Sequence, residues 1–153
     1  MRQLSREHHI YVLEPGSDPA ITIDSGEEII VETWDAFEGE RDPVALQANP
    51  LKGPATGPIY VNGAEPGDAL KIDFIKITPK EQAAHMVMPG RGFLDNDFTE
   101  AYPTLIGLDS GDAVLPSGVR IPMNPSMGLV ATTPTYTQLT ASASGPYTSP
   151  SHN

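Results

Sequence analysis

The sequence contains no cysteine, which excludes disulfides, thiolate metal ligands and cysteine nucleophiles together. No apolar run approaches the roughly 18 to 20 residues that a membrane span requires, and the N-terminus lacks the apolar stretch of a secretory signal. Basic residues are also few, with 9 Lys and Arg against 20 Asp and Glu and a formal net charge of −11. Because phosphate backbones would be repelled at long range, we expect a cytoplasmic protein without nucleic-acid or membrane partners.

Charge is missing altogether from residues 121–153, which contain no Asp, Glu, Lys or Arg. A chain of 153 residues buries roughly 70% of its unfolded surface, enough for one core. We therefore predict one β domain over residues 1–131 and an uncharged Ser/Thr/Pro-rich segment over residues 132–153. Composition alone favours a flexible tail for this segment, whereas the Met, Leu, Val and Tyr side chains scattered through residues 121–153 favour docking against a partner.

Proline and glycine punctuate the whole chain, with 16 Pro and 14 Gly spread evenly between short β-branched segments. This pattern predicts an all-β fold, a β-sandwich or barrel with little helix. The clearest strand is Ala69–Ile77, which alternates apolar and polar residues with one phase slip. A helix of one or two turns is predicted only at Pro79–His85. The other predicted strands are His9–Leu13, Ala20–Ile23, Glu28–Trp34, Pro58–Val61, Leu105–Leu108, Val119–Pro122 and Met127–Ala131.

One acid stands in a position suited to chemistry. Asp35 follows an apolar strand and lies between Trp34 and Phe37. Partial burial there would raise its pKa and suit it to proton transfer or cation binding. The alternative, which the sequence alone favours, is that Asp35 caps the turn into Glu38-Gly39.

Other motifs have simpler structural explanations. Glu65-Pro66-Gly67-Asp68 has the residues of a type II turn, with carboxylates that face water. Gly90-Arg91-Gly92 lacks the context of a phosphate-binding loop, although Arg91 is available to pair with a carboxylate of the protein or of a product. The histidines show no zinc-site spacing, since His8 and His9 are adjacent and point to opposite faces of a strand.

Several segments together resemble the acetamidase/formamidase family. The most specific is Gly57–Asp68, preceded by Asn49-Pro50, and three further segments follow the family order: Val31–Phe37, Pro89–Leu94 and Ile121–Gly128. The resemblance implies a jelly-roll-like β-sandwich that hydrolyses small aliphatic amides such as formamide and acetamide to a carboxylate and ammonia. With it, we predict Asp35 as a catalytic residue and Asn49 and Arg91 as substrate-binding residues.

Members of this family are considerably longer than the present chain. They typically carry a Gly-Pro-His-Gly-Gly-Asn-Met-Asp motif where this sequence reads Gly145-Pro146-Tyr147 and ends at Asn153. We therefore expect a chain that is incomplete by itself and that forms a homo-oligomer or joins a complementing second chain. Whether the protein uses a divalent metal cofactor stays open. The alternatives are a catalytically inactive β-sandwich binding module and a general carbohydrate- or ligand-binding sandwich.

Overall fold

The computed structural model describes residues 1–48, 53–93 and 97–135, together with the backbone of residues 147–148. Within these residues the protein is mostly β, as the sequence predicts, and it has one short helix. The strands form small sheets of two or four strands. In chain order the elements are β1 (Arg2–Leu4), β2 (His9–Ile10), β3 (Val12–Leu13), β4 (Ile21–Ile23), β5 (Ile29–Val31), α1 (Pro43–Ala48), β6 (Ala55–Thr56), β7 (Ile59–Val61), β8 (Gln82–Val87), β9 (Tyr102–Asp109), β10 (Asp112–Val114), β11 (Arg120–Pro122) and β12 (Tyr147–Thr148).

These elements divide between two compact units. Unit 1 comprises Met1–Glu38, Lys52–Ile72 and Met127–Asn153, and unit 2 comprises Gly39–Leu51 and Asp73–Ser126. The domain division at residue 131 that the composition suggests stays a prediction.

Unit 2 is built on a four-stranded antiparallel sheet in the order β11-β10-β9-β8. The central residue Gly107 pairs with Gln82 on one side and with Val114 on the other. Strands β9 and β10 are joined by Ser110 and Gly111, whose φ angles are 50° and 89°. Two successive positive φ angles are typical of the tight type I′ turn, whose twist matches that of the flanking strands.

The helix α1 begins at a capping residue. Asp42 accepts a hydrogen bond from the Ala45 amide at its Oδ1 (2.9 Å), and Pro43 occupies the first helical position. The Gln47 side chain donates to the carbonyl of Ala101 (3.1 Å), just before β9, and Leu46 is the buried residue of the helix. Six residues are too few to show a helical hydrophobic period, so the sequence does not predict this helix.

Arg120 joins the two ends of the β9–β10 turn. Its Nε donates to Asp112 Oδ2 and one terminal nitrogen donates to Asp109 Oδ2, both at 3.0 Å. The Ser110 hydroxyl and then Arg120 hold the pKa of Asp109 below its ordinary value. The two carboxylates hold the pKa of Arg120 above its ordinary value.

We expect the variant Arg120→Gln to be slightly less stable than the wild type at pH 7 and low salt. A carboxyl group with a lowered folded-state pKa stabilises above its unfolded pKa, and this contribution disappears as the pH falls through the folded value. Urea titrations of both proteins between pH 7 and pH 2 measure the difference, which should shrink at acidic pH and in high salt. A difference independent of pH would contradict the ion-pair explanation.

The described residues of unit 1 form four two-stranded sheets, two of which are parallel. β1 pairs with β5, and the Gln3 side-chain amide donates to Glu32 (2.9 Å) beyond the end of β5. β4 pairs with β7, and the Asn62 side-chain amide donates to the Asp24 carboxylate (2.7 Å) beyond the ends of these two strands. The antiparallel pairs are β2 with β6 and β3 with β12.

Few apolar side chains are enclosed in either unit. Among the described residues the fully buried hydrophobic side chains are Leu4, 2% exposed, in unit 1 and Leu46, 1% exposed, in unit 2. Strand residues that would ordinarily face a core are open, including Ile30 at 47% and Tyr60 at 48%. Parallel strands are normally buried on both faces, so the exposure of Ile30 and Tyr60 is unusual for residues of parallel pairs.

Two predicted strands and one predicted helix are wrong. Ala69–Ile77 and Met127–Ala131 form no strand, because no strand of the described residues runs beside them to complete a ladder. Pro79–His85 is not helical, since Gln82–Val87 forms β8 and pairs along its whole length with β9. The turn at Glu65–Asp68 is confirmed, with the Asp68 amide donating to the Glu65 carbonyl (3.0 Å) and a φ of 108° at Gly67.

In the part of the chain that the structure describes, no helix has the length and apolar character needed to cross a membrane.

Candidate functional site

Asp35 lies in a tight turn that follows β5. Its Oδ1 accepts a hydrogen bond from the Phe37 amide (2.9 Å), and its carbonyl accepts one from the Glu38 amide (3.0 Å). The side chains of Trp34 and Phe37 are half-buried, but Asp35 itself is exposed. Asp35 therefore caps this turn, and the partial burial expected from its aromatic neighbours is not found in this chain.

Arg6 fixes the ring of Trp34. Its guanidinium carbon lies 3.8 Å from the centroid of the Trp34 ring, a cation–π contact worth about 0.5–1 kcal/mol at partly exposed sites. Arg6 precedes β2, so the contact ties the N-terminal strands to the residue next to Asp35.

His9 also contacts Arg6, through the backbone. The Nδ1 atom of His9 lies 2.9 Å from the Arg6 carbonyl oxygen. Because a carbonyl oxygen only accepts, this contact assigns the proton to Nδ1. The lone pair of this tautomer then lies on the other ring nitrogen, Nε2.

Tyr11 links His9 to a second carboxylate. The rings of His9 and Tyr11 meet edge to face with centroids 5.3 Å apart, and the Tyr11 hydroxyl donates to Glu38 Oε1. Tyr11 lies at the bend between β2 and β3.

Glu38 adopts a backbone conformation that is uncommon for its residue type. Its φ is 53°, in the left-handed region, and φ is 78° at the following Gly39. Such a conformation costs a residue with a side chain on the order of 1 kcal/mol, and it is often found at functional sites. The cost is offset here by the contacts of the turn, including the hydrogen bond from Tyr11.

These contacts join six residues of unit 1, which we call the turn cluster: Arg6, His9, Tyr11, Trp34, Asp35 and Glu38. The cluster contains two carboxylates, an imidazole and a phenol, which are the groups that exchange protons in general acid–base catalysis. The sequence predicts a catalytic role for Asp35 but none for His9, Tyr11 or Glu38. The alternation of His9 and Tyr11 within a predicted strand was the signal available for part of this set.

Of the two predicted substrate-binding residues, the structure describes Arg91. Arg91 is exposed in unit 2, in a turn after β8 where its amide donates to the Met88 carbonyl (3.3 Å). The flanking Gly90 and Gly92 have φ angles of 70° and 81°, which fit the predicted loop. Asn49 lies outside the described residues. Substrate binding by Asn49 and Arg91 stays a prediction.

A divalent metal needs several hard or borderline ligands at one point. Across residues 1–48, 53–93 and 97–135, no three His, Asp or Glu side chains are grouped closely enough to hold an ion. These residues by themselves therefore do not form a metal site.

Comparison with known proteins gives a consistent result. The sequence profile of the acetamidase/formamidase family matches residues 6–144. A crystal structure of acetamidase from Bacillus halodurans shares 31% sequence identity with a TM-score of 0.78, and the match covers 86% of this chain and 46% of that one. A recombinant predicted acetamidase/formamidase from Thermoanaerobacter tengcongensis gives 31% identity and a TM-score of 0.73, covering 79% of this chain and 42% of that one. No curated protein matches the chain significantly.

Proposed function

We propose that this protein takes part in the hydrolysis of small aliphatic amides, because the chain belongs to the acetamidase/formamidase family. The observation that carries the proposal is the extent of the family match. It runs over residues 6–144, which include the whole turn cluster as well as Asn49 and Arg91. Formamide and acetamide are the substrates we expect, with the corresponding carboxylate and ammonia as products.

The chain spans about half the length of the solved structures that it matches, with the matched part covering 46% and 42% of them. The proposal therefore concerns the complete family fold, to which this chain contributes the turn cluster. In this proposal the complete fold is a jelly-roll-like β-sandwich, formed within a homo-oligomer or with a complementing chain.

Amide hydrolysis requires three events at the amide group. Water adds to the carbonyl carbon, the C–N bond breaks, and the leaving nitrogen takes a proton, because an amide anion is too basic to leave. The developing negative charge on the carbonyl oxygen also needs hydrogen-bond donors. A site for this reaction thus combines a base, an acid and one or more donors.

Asp35 is the base in this proposal. Its carboxylate takes a proton from the attacking water while the water oxygen bonds to the carbonyl carbon, and the same proton then passes to the nitrogen as ammonia leaves. The Phe37 amide orients the carboxylate through the hydrogen bond to Oδ1. Within the turn cluster, Tyr11 orients Glu38, and the Nε2 lone pair of His9 is a second proton acceptor.

Asn49 and Arg91 provide donors in the same proposal. The side-chain amide of Asn49 donates to the substrate carbonyl oxygen, and the Arg91 guanidinium pairs with the carboxylate product. Both interactions are with groups that bear or develop negative charge during the reaction.

The test is an ammonia-release assay with formamide and acetamide. We expect negligible release from the 153-residue chain alone, and turnover on the order of 10 per second once the rest of the family fold is supplied. The probe for that is the part of the B. halodurans acetamidase outside the match, co-expressed with this chain. A stable complex that binds an amide without releasing ammonia would instead support the inactive binding module.

A further inference from the structure

Strand β8 is one edge of the four-stranded sheet of unit 2, and no strand of the described residues pairs with its outer side. Its six residues include no Asp, Glu, Lys, Arg or Pro. The strand at the opposite edge, β11, contains both Arg120 and Pro122. Charged side chains and proline are common means by which an edge strand avoids pairing with another chain. The sequence of β8 therefore lacks the obstacles to pairing that β11 carries.

The ladder between β8 and β9 determines which main-chain groups of β8 point outward. In an antiparallel ladder, opposite residues alternate between pairs that exchange two hydrogen bonds and pairs that exchange none. The Leu108 amide donates to the Glu81 carbonyl (2.8 Å), so the odd-numbered residues of β8 bond to β9. The amides and carbonyls of the even-numbered residues, including Ala84 and Met86, consequently point away from β9.

Two further contacts agree with this assignment. Met86 lies opposite Pro103, which has no amide hydrogen to donate to β8. The Arg41 side chain donates to the carbonyl of Gln82 (3.2 Å), another even-numbered residue. Across residues 1–48, 53–93 and 97–135, the main-chain groups of Ala84 and Met86 have no backbone partner on the outer side. This edge thus presents two amides and two carbonyls in the geometry of a strand.

The lengths of the relatives indicate what pairs with this edge. The match covers 46% of the B. halodurans chain and 42% of the T. tengcongensis chain, so more than half of each relative lies outside it. A second copy of this chain is a poorer candidate, because each copy carries a net charge of −11 and two copies repel one another.

We infer that the outer edge of β8 is a docking site for the rest of the family fold, which adds a fifth strand to the sheet of unit 2. Strand addition of this kind gains affinity from main-chain hydrogen bonds, here to Ala84 and Met86. The inference rests on the proposed function only in that both require the complete family fold.

The experiment is residue-resolved hydrogen exchange of the β8 amides, with and without the co-expressed part of the B. halodurans acetamidase that lies outside the match. In the chain alone, the amides of Ala84 and Met86 should exchange faster than the Ala83 amide, which bonds to β9. In the complex, their rates should fall at least about tenfold relative to that of Ala83. The Ala83 amide serves as the internal reference for any general change in stability.

Four results would overturn the inference. Two of them are the absence of a complex and a complex in which the ratio to Ala83 is unchanged. Slow exchange of Ala84 and Met86 in the chain alone that is independent of concentration would show pairing within the chain. Slowing with concentration of the chain alone would show that a second copy occupies the edge.

A matched pair of variants at one position tests the added strand. Ala84→Pro removes an amide that points outward and leaves the β9 ladder intact, as proline does where it occurs on edge strands. It should weaken association at least about tenfold, because an outward donor is lost and the ring obstructs the incoming strand. Ala84→Val keeps the amide with a side chain of similar size and should leave association within about threefold of the wild type. Equal effects of the two variants would contradict the added strand.

The exchange of the β9 amides in each isolated variant shows whether the sheet is intact. If Ala84→Pro disturbs it, Met86→Pro and Met86→Leu form the replacement pair, since Met86 lies opposite Pro103 and gives no ladder bond there. The same difference in association is expected between them, and its absence overturns the inference.

Ammonia release from the same complexes separates this inference from the proposed function. A complex that slows exchange of Ala84 and Met86 but releases no ammonia supports the docking site and contradicts the amidase. Active complexes whose formation is insensitive to Ala84→Pro contradict the docking site and leave the amidase standing.

Discussion

Asp35→Asn should lower amide turnover by the complete enzyme about 10²-fold or more, the usual effect of removing a general base. The substitution removes the negative charge and the basic oxygen but keeps a side-chain oxygen that still accepts the Phe37 amide. The turn should therefore persist, and the melting temperature should stay close to that of the wild type. Steady-state kinetics with formamide measure the loss, which should fall on kcat more than on KM.

Asp68→Asn is the matched control, because Asp68 also caps a turn. Its Oδ2 accepts the Glu65 amide at 2.9 Å, the same distance as in the Asp35 turn. If capping is the whole role of Asp35, the two variants will have equal and near-normal turnover, and the assignment of Asp35 as a base is then wrong.

Leu46→Ala should reduce the free energy of unfolding of unit 2 by about 2–5 kcal/mol. Leu46 is 1% exposed, so truncating it removes buried methyl groups and leaves a cavity beside β9. The measurement is native-state hydrogen exchange of the β9 amides in increasing urea, which reports on unit 2 separately.

Val44→Ala tests whether this loss comes from burial. Val44 lies two residues earlier in the same helix and is 74% exposed, so its truncation should change stability by no more than about 0.5 kcal/mol. Equal losses for the two variants would show that α1 contributes through helix formation alone and that Leu46 has no special packing role.

The sequence predicts a strand correctly where β-forming residues are flanked by turn residues. Ile21–Ile23 and Ile59–Val61 lie between turn residues, and both form strands where expected. The prediction of strands from sequence fails where pairing with another strand decides the conformation of a segment. Gln82–Val87 is a strand because β9 runs beside it, whereas Ala69–Ile77 is not a strand, although its alternation is the most regular in the sequence. An alternating pattern shows that a segment can form a strand, but the strand forms only if a second strand pairs with it.

The turn cluster shows the same limit for function. The sequence indicates Asp35 as a candidate because a predicted strand ends beside it. The partnership of Tyr11 with Glu38 depends on two segments that are 27 residues apart. Arg6 over Trp34 is equally non-local, and neither contact leaves a local motif in the sequence. The extent of the family match brings these residues into one proposal, but their mutual contacts come from the structure.

The order of the strands also has a consequence for how the protein acquires its structure. The sheet β8-β9-β10-β11 joins neighbours in the sequence, and such local pairings form quickly because little loop entropy is lost. β3 pairs with β12, so the start of the chain must wait for residues 147–148 to be synthesised. During translation we therefore expect the sheet of unit 2 to assemble first. The N-terminal residues around His9 and Tyr11 therefore remain incompletely paired until the end of the chain is synthesised. In such a partly folded state, aggregation competes with folding.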